Sequence, residues 1–169
     1  TDKTDKTNKI TLSSSADFAL GTGAFTIEAW VYVTADTNSY SRIWQIGPYF
    51  NDNSSVGLAV DDTANSSKIS FWAYAATSTG RTCISTNATP RNEWFHVAVT
   101  RDTTGDFRLF VNGNLDSTNT SYRTTDISPG GNQPLVIGST TDRAVSEPFE
   151  GFISNFRVIK GLFRFRFSV

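Results

Sequence analysis

The chain has 169 residues, 38% of them hydrophobic, with 15 Lys and Arg against 16 Asp and Glu and a formal net charge of −1. That length suits one domain whose core stands without metal or disulfide staples. The balanced charge, with no basic stripe, gives no electrostatic case for nucleic acid or an anionic membrane, and no apolar run reaches the roughly 18 residues of a spanning helix.

Residues 1–9 read Thr-Asp-Lys, Thr-Asp-Lys, Thr-Asn-Lys, with no apolar side chain, and are expected to be a solvated lead-in or linker. Methionine is absent, so the chain is expected to be a processed product or part of something longer. Ile10, Thr11 and Leu12 make a short strand. Residues 13–20 carry a turn, with Phe18 and Leu20 plugging the edge of the core. Gly21-Thr22-Gly23 then interrupts the chain.

The most regular stretch follows. Phe25, Ile27, Ala29, Val31 and Val33 alternate with Thr26, Glu28, Trp30 and Tyr32. Side chains of a strand fall on opposite faces with a period of two, so this is a strand with one apolar and one amphipathic face. Further strands are expected at 41–46, 56–60, 69–75 and 81–85, separated by polar turns. At 94–101, Phe95, Val97 and Val99 share one face, and Trp94, His96 and Ala98 share the other. At 107–111, Phe107, Leu109 and Val111 point the same way. Asn112-Gly113 is the strongest hairpin signal, because both residues tolerate the positive φ of a type I′ turn. Residues 118–134 read as loop, 135–138 as a short apolar strand and 149–159 as the last clear strand. Phe163, Phe165 and Phe167 alternate with Arg164 and Arg166, as in a terminal edge strand or an interaction strip.

No window keeps a helical period. Many short strands between turn signals mean an all-β fold, here a two-sheet antiparallel jelly-roll sandwich at 10–160, flanked by the lead-in at 1–9 and the tail at 161–169.

Three blocks carry a family resemblance. Residues 16–23 leading into Phe25-Thr26-Ile27-Glu28-Ala29-Trp30 resemble the opening of laminin-G-like, concanavalin A-like jelly rolls. Residues 94–101 followed by Leu109-Phe110-Val111-Asn112-Gly113 resemble their central hairpin, and 149–158 their closing strand. The wording at 15–23 and 153–161 is most similar to copies in bacteriophage structural proteins and bacterial surface proteins. The resemblance implies a binding or structural module, extracellular or on a virion surface, that contacts a glycan, a host-surface protein or other virion or surface subunits. It also implies calcium in some members. Fold alone does not fix function, so the site is argued from residues.

Hard cations want clustered oxygens, and Asp61-Asp62 at a strand end is the best local pair, with Asp17 and Asp36 outlying. Asp also caps turns through its own backbone, which is the competing account. A sugar site needs an aromatic face flanked by polar groups. Trp72 and Tyr74 lie two apart on one face, Tyr49 and Asn53 lie in the preceding loop region, and Trp30, Tyr32 and Trp44 are also available. Core packing competes with ligand stacking for each ring. No catalytic residue is assigned. Hydrolysis of a glycan by two carboxylates needs both on one cleft, and none of Glu28, Glu93, Glu147 and Glu150 has a same-face acid partner at strand spacing. The one cysteine, Cys83, excludes an intrachain disulfide and reads as a small buried hydrophobe, with no activating context from the one histidine, His96.

Overall fold

The structure is a computed structural model that describes residues 9–34, 40–48, 55–61, 67–73, 81–140 and 147–161. Strands among these residues, in chain order, are β1 (Ile10–Ser15), β2 (Phe25–Val33), β3 (Tyr40–Ile46), β4 (Val56–Asp61), β5 (Lys68–Ala73) and β6 (Arg81–Ala88), followed by β7 (Trp94–Arg101), β8 (Phe107–Val111), β9 (Asn114–Asn119), β10 (Gln133–Ile137) and β11 (Gly151–Lys160). They form two antiparallel sheets, ordered β1-β10-β3-β4-β5-β6 and β11-β2-β7-β8-β9. The late strands β10 and β11 return beside the early strands β3 and β2. That is the jelly-roll sandwich the alternation predicts. No helix among the described residues is long and apolar enough to cross a membrane. Of the expected lead-in at 1–9 and tail at 161–169, only Lys9 and Gly161 are among the described residues.

The predicted inward set of β2 is buried as a unit, in one cluster with Phe95, Val97 and Val99 of β7 and with Leu58, Val60 and Phe71 of the facing sheet. Phe107 spans the two layers, its ring 6.3 Å from Phe25 and 5.9 Å from Phe71. Truncating a core ring of this kind to alanine costs about 3–5 kcal/mol. Asn112 (φ 50°) and Gly113 (φ 78°) form the expected two-residue turn between β8 and β9.

Three details differ from the sequence reading. β1 continues to Ser15, whose Oγ accepts from the Asp17 N–H and caps a short 3₁₀ turn at Ala16–Phe18. In β3, Arg42 pairs with Ala59 and Trp44 with Leu58, so Ile43 is an extra residue. That bulge sends Ile43 and Trp44 both into the core. Finally, β11 starts at Gly151 rather than at 149. The backbone just before it bonds elsewhere: the Phe149 N–H donates to the Gly138 carbonyl, and the Thr34 N–H donates to the Glu150 carbonyl. Gly151 itself has φ 156°, and a Cβ there would stand 1.9 Å from the Tyr32 carbonyl oxygen. Only glycine lets β11 approach β2 so closely at that point.

On one side of the sandwich hydrogen bonds bridge the two sheets. The Thr86 N–H of β6 donates to Asp116 Oδ1 of β9 at 2.5 Å, and Asn119 Nδ2 donates to the Thr82 carbonyl at 2.7 Å. On the other side the edge strands are β1 and β11.

Candidate functional site

The outward face of the five-stranded sheet follows from strand pairing. In β2 and β7, Glu28 lies opposite Ala98, Trp30 opposite His96, and Tyr32 opposite Trp94. In β2 and β11, Tyr32 lies opposite Phe152, Trp30 opposite Ser154, and Glu28 opposite Arg157. Three rows of side chains therefore cross the strands. The row through Tyr32 is aromatic throughout, with ring centroids 5.8 Å from Trp94 and 5.8 Å from Phe152. In the next row Trp30 tilts against the His96 ring at 5.6 Å. Trp30, Trp94 and Phe152 are 43%, 47% and 59% exposed, although apolar rings of this size are normally covered.

The third row is ionic. Arg157 donates from Nε to Glu28 Oε1 at 2.6 Å and again from a terminal nitrogen to the same oxygen. His96 Nε2 lies 3.2 Å from Glu28 Oε2. Glu28 is buried while Arg157 is exposed, so the guanidinium roofs the carboxylate. His96 is in turn held by Asn112, whose side-chain oxygen accepts from the His96 N–H and whose own N–H donates to the His96 carbonyl, each at 2.8 Å. A recess of about 440 Å³ is lined by Glu28, Trp30, His96, Asn155, Phe156 and Arg157. A second of about 230 Å³ is lined by Trp30, Trp94, Ser154 and Asn155. The two share Trp30 and Asn155 and form one shallow groove. Rings at one end and a carboxylate–guanidinium pair at the other suit a ligand with both apolar faces and hydroxyls.

Of the rings offered from sequence, Trp30 and Tyr32 stand on this face, whereas Trp44 is in the core. Trp72 sits on the outward face of the six-stranded sheet and is 2% exposed. The Arg42 guanidinium lies 4.8 Å from its ring centroid, the Tyr40 ring packs edge-on at 6.0 Å, and Arg42 is ion-paired to Glu147. A buried arginine needs aromatic and anionic cover, and Trp72 is used for that. Tyr74, Tyr49, Asn53 and Asp62 lie outside the described residues. Asp61 is buried at the end of β4, in register with Tyr40 and Lys68. No group of three or more His, Cys, Asp or Glu that would hold a metal ion exists among the described residues. Trp94, Phe152 and Arg157 were not singled out from sequence. The signal was the matching alternation of 25–33 and 94–101, which puts Trp30, Tyr32, Trp94 and His96 together once the two strands are paired outward face to outward face.

A separate charged cluster closes the β7–β8 turn. Asp102 and Asp106 are bound by Arg108, and Asp106 also by Arg123. Burial would raise the Asp102 carboxyl, but hydrogen bonds from Thr104, Arg108 and the Asp106 N–H, with the Arg108 charge, together hold it at about 2. The hydrogen bond from Arg123 is the main cause that lowers the Asp106 carboxyl. Each carboxylate is matched by a guanidinium, so the cluster fixes a turn rather than offering an open cation site.

Two antiparallel sheets in this order, with aromatic rings on an outward sheet face, define an all-β jelly roll of the lectin type. The chain belongs to the concanavalin A-like lectin/glucanases superfamily, whose laminin-G-like profile matches residues 4–163. No curated protein matches it in sequence. Solved structures share the fold at low identity. A Bacteroides ovatus protein superposes with a TM-score of 0.66 at 21% identity, covering 89% of this chain and 40% of that one. Domain 4 of AbnA, a GH43 extracellular arabinanase from Geobacillus stearothermophilus, in complex with arabinotriose, gives 0.64 at 17%, covering 90% and 66%. The CBM40 of the Ruminococcus gnavus IT-sialidase, bound to α2,3-sialyllactose, gives 0.64 at 18%, covering 89% and 88%.

Proposed function

We propose that this chain is a non-enzymatic glycan-binding module whose platform is the outward face of the five-stranded sheet. The observation that carries the reading is the exposure of Trp30, Trp94 and Phe152 on one face, beside the Glu28–Arg157 pair. Flat apolar rings take the C–H face of a sugar, and the ion pair supplies a donor and an acceptor for its hydroxyls. The solved complexes with arabinotriose and sialyllactose support the reading, since they put sugars on proteins of this fold. Glycoside hydrolysis needs two carboxylates flanking one bond. Among the described residues Glu28 is the carboxylate lining the groove, and Arg157 and His96 occupy it. Display outside a cell, on a bacterial or virion surface, belongs to the same reading and rests on the wording of 15–23 and 153–161.

The test is titration of the whole chain with a panel of oligosaccharides, followed by calorimetry and tryptophan fluorescence. Binding is expected, and Trp30→Ala and Trp94→Ala are each expected to weaken it about tenfold, or 1.4 kcal/mol. Unchanged affinity in the doubly substituted chain would move the site off this face. Turnover of any bound glycan would end the non-enzymatic reading.

A further inference from the structure

We infer that the platform selects uncharged oligosaccharides, and that Glu28 is the residue that sets this selection. The inference rests on the glycan-binding reading above and adds the chemical class of the ligand. Among the described residues the groove is lined by one carboxylate and one guanidinium, and they are already matched to each other. Both hydrogen bonds of Arg157 go to Glu28 Oε1, from Nε and from one terminal nitrogen. The second carboxylate oxygen, Oε2, faces His96 at 3.2 Å. The exposed guanidinium keeps N–H donors for a ligand, but its charge is already matched by Glu28. A sialic or uronic acid carboxylate arriving at Arg157 must either displace Glu28 or lie beside it, and two carboxylates at such range repel in a partly desolvated recess.

A hydroxyl meets no such conflict. It donates and accepts at once, so neighbouring hydroxyls of a neutral sugar match a guanidinium beside a carboxylate. Trp30 borders both recesses, so a sugar stacked on its ring lies next to the ion pair. Trp94 borders the second recess, where a further sugar unit of a chain would lie. Removing the carboxylate while keeping its shape leaves Arg157 uncompensated and turns the groove cationic.

The experiment measures affinities of the whole chain for matched oligosaccharides that differ by one acid group: lactose against 3′-sialyllactose, and xylotetraose against its glucuronic acid derivative. Wild type is expected to bind the neutral member at least tenfold more tightly in the pair it recognises. Glu28→Gln is expected to shift the neutral-to-acidic ratio by tenfold or more towards the acid. Should Glu28→Gln fail the fold check by near-ultraviolet circular dichroism, Arg157→Gln serves instead and is expected to move the ratio the opposite way. Equal or tighter binding of the acidic member by wild type, or a ratio unmoved by the folded variant, overturns the selection while leaving the platform standing. Absence of binding to every neutral and acidic sugar, with the fold intact, overturns the platform itself and the selection with it.

Discussion

Arg157 reaches Glu28 across the β2–β11 pair because Asn155 is an extra residue in β11. Ser154 pairs with Trp30 and Arg157 with Glu28, so two residues of β11 stand against the single Ala29 between them. Asn155 takes φ 51°, a left-handed conformation that Asn tolerates and most side chains do not. The bulge lets Phe156 turn inward, 6.5 Å from the Trp44 ring, and returns Arg157 to the outward face.

Substitution at Asn155 should therefore be decided by backbone conformation. Asn155→Val forces a β-branched residue into the left-handed region and is expected to cost about 1–3 kcal/mol in urea unfolding. Asn155→Gly removes the side chain but accepts the conformation, and is expected to stay within about 1 kcal/mol of wild type. Equal costs for the two would mean that side-chain contacts, not the bulge, hold this segment.

The same bulge shows where the sequence stopped being legible. Strict alternation would put Phe152, Ser154 and Phe156 on one face. One inserted residue divides them, leaving Phe152 exposed and Phe156 packed on the core. Likewise Ile43 and Trp44 are adjacent yet both buried, which alternation forbids without a bulge. By contrast, β2, β7 and the Asn112-Gly113 turn are legible from local pattern, because the apolar residues of each strand alternate without a bulge and both turn residues accept a positive φ. The platform needed one fact more: which strands are neighbours. Trp30 and Trp94 are 64 positions apart, and only the β2–β7 pairing puts them on one surface. Trp72 misled for the opposite reason. A buried arginine on the same sheet occupies its ring, which local pattern does not show.

Arg101 is expected to be the costliest charged residue to remove at the rim of the core. It is fully buried, its guanidinium lies 4.9 Å from the Phe107 ring centroid, and it donates to the carbonyls of Gly21, Tyr122 and Arg123 at 2.9, 3.3 and 2.6 Å. Burial lowers its affinity for the proton, and Asp126 and Asp102 oppose that. Three acceptors on two chain segments depend on one planar fork. Arg101→Lys cannot reproduce that geometry and is expected to cost about 3 kcal/mol in denaturant unfolding. A loss under about 1 kcal/mol would show that the 122–127 loop is held by its other contacts.

Acid stability should carry the signature of Asp102. Its folded-state value of about 2 lies below the ordinary aspartate value of about 3.9. A depressed carboxylate stabilises the fold fully above the unfolded value and loses that contribution as pH falls through the folded one. The contribution is on the order of 2 kcal/mol, present above about pH 4 and vanishing towards pH 2. Asp102→Asn keeps an oxygen for the Thr104 and Asp106 N–H groups, which lie 2.9 and 3.0 Å from Asp102 Oδ1. It is expected to lower stability at pH 7 and to flatten the stability curve between pH 4 and 2. Parallel curves for wild type and variant across that window would assign the acid limb to other carboxylates.

Cys83 offers a direct readout of the seam between the two sheets. Its thiol is buried, and burial pushes it up to about 12, with hydrogen bonds from the Ser117 side chain and the Asn119 backbone pulling the other way. The thiolate is the reactive form, so alkylation at pH 8 is expected to be negligible in the closed state and to proceed only through opening. Both partners lie on β9, which is tied to β6 through Asp116 and Thr86. Asp116→Ala removes a charged acceptor from a backbone N–H, a bond worth about 1.5–3 kcal/mol. If the thiol is exposed by local parting of β6 from β9, labelling of that variant with iodoacetamide is expected to speed up by tenfold or more. If exposure requires global unfolding, the rate should rise only by the factor that the denaturant-measured loss of stability predicts. Labelling of wild type at the rate of a free thiol would mean that β6 and β9 stand apart in solution, and that this side of the sandwich is open.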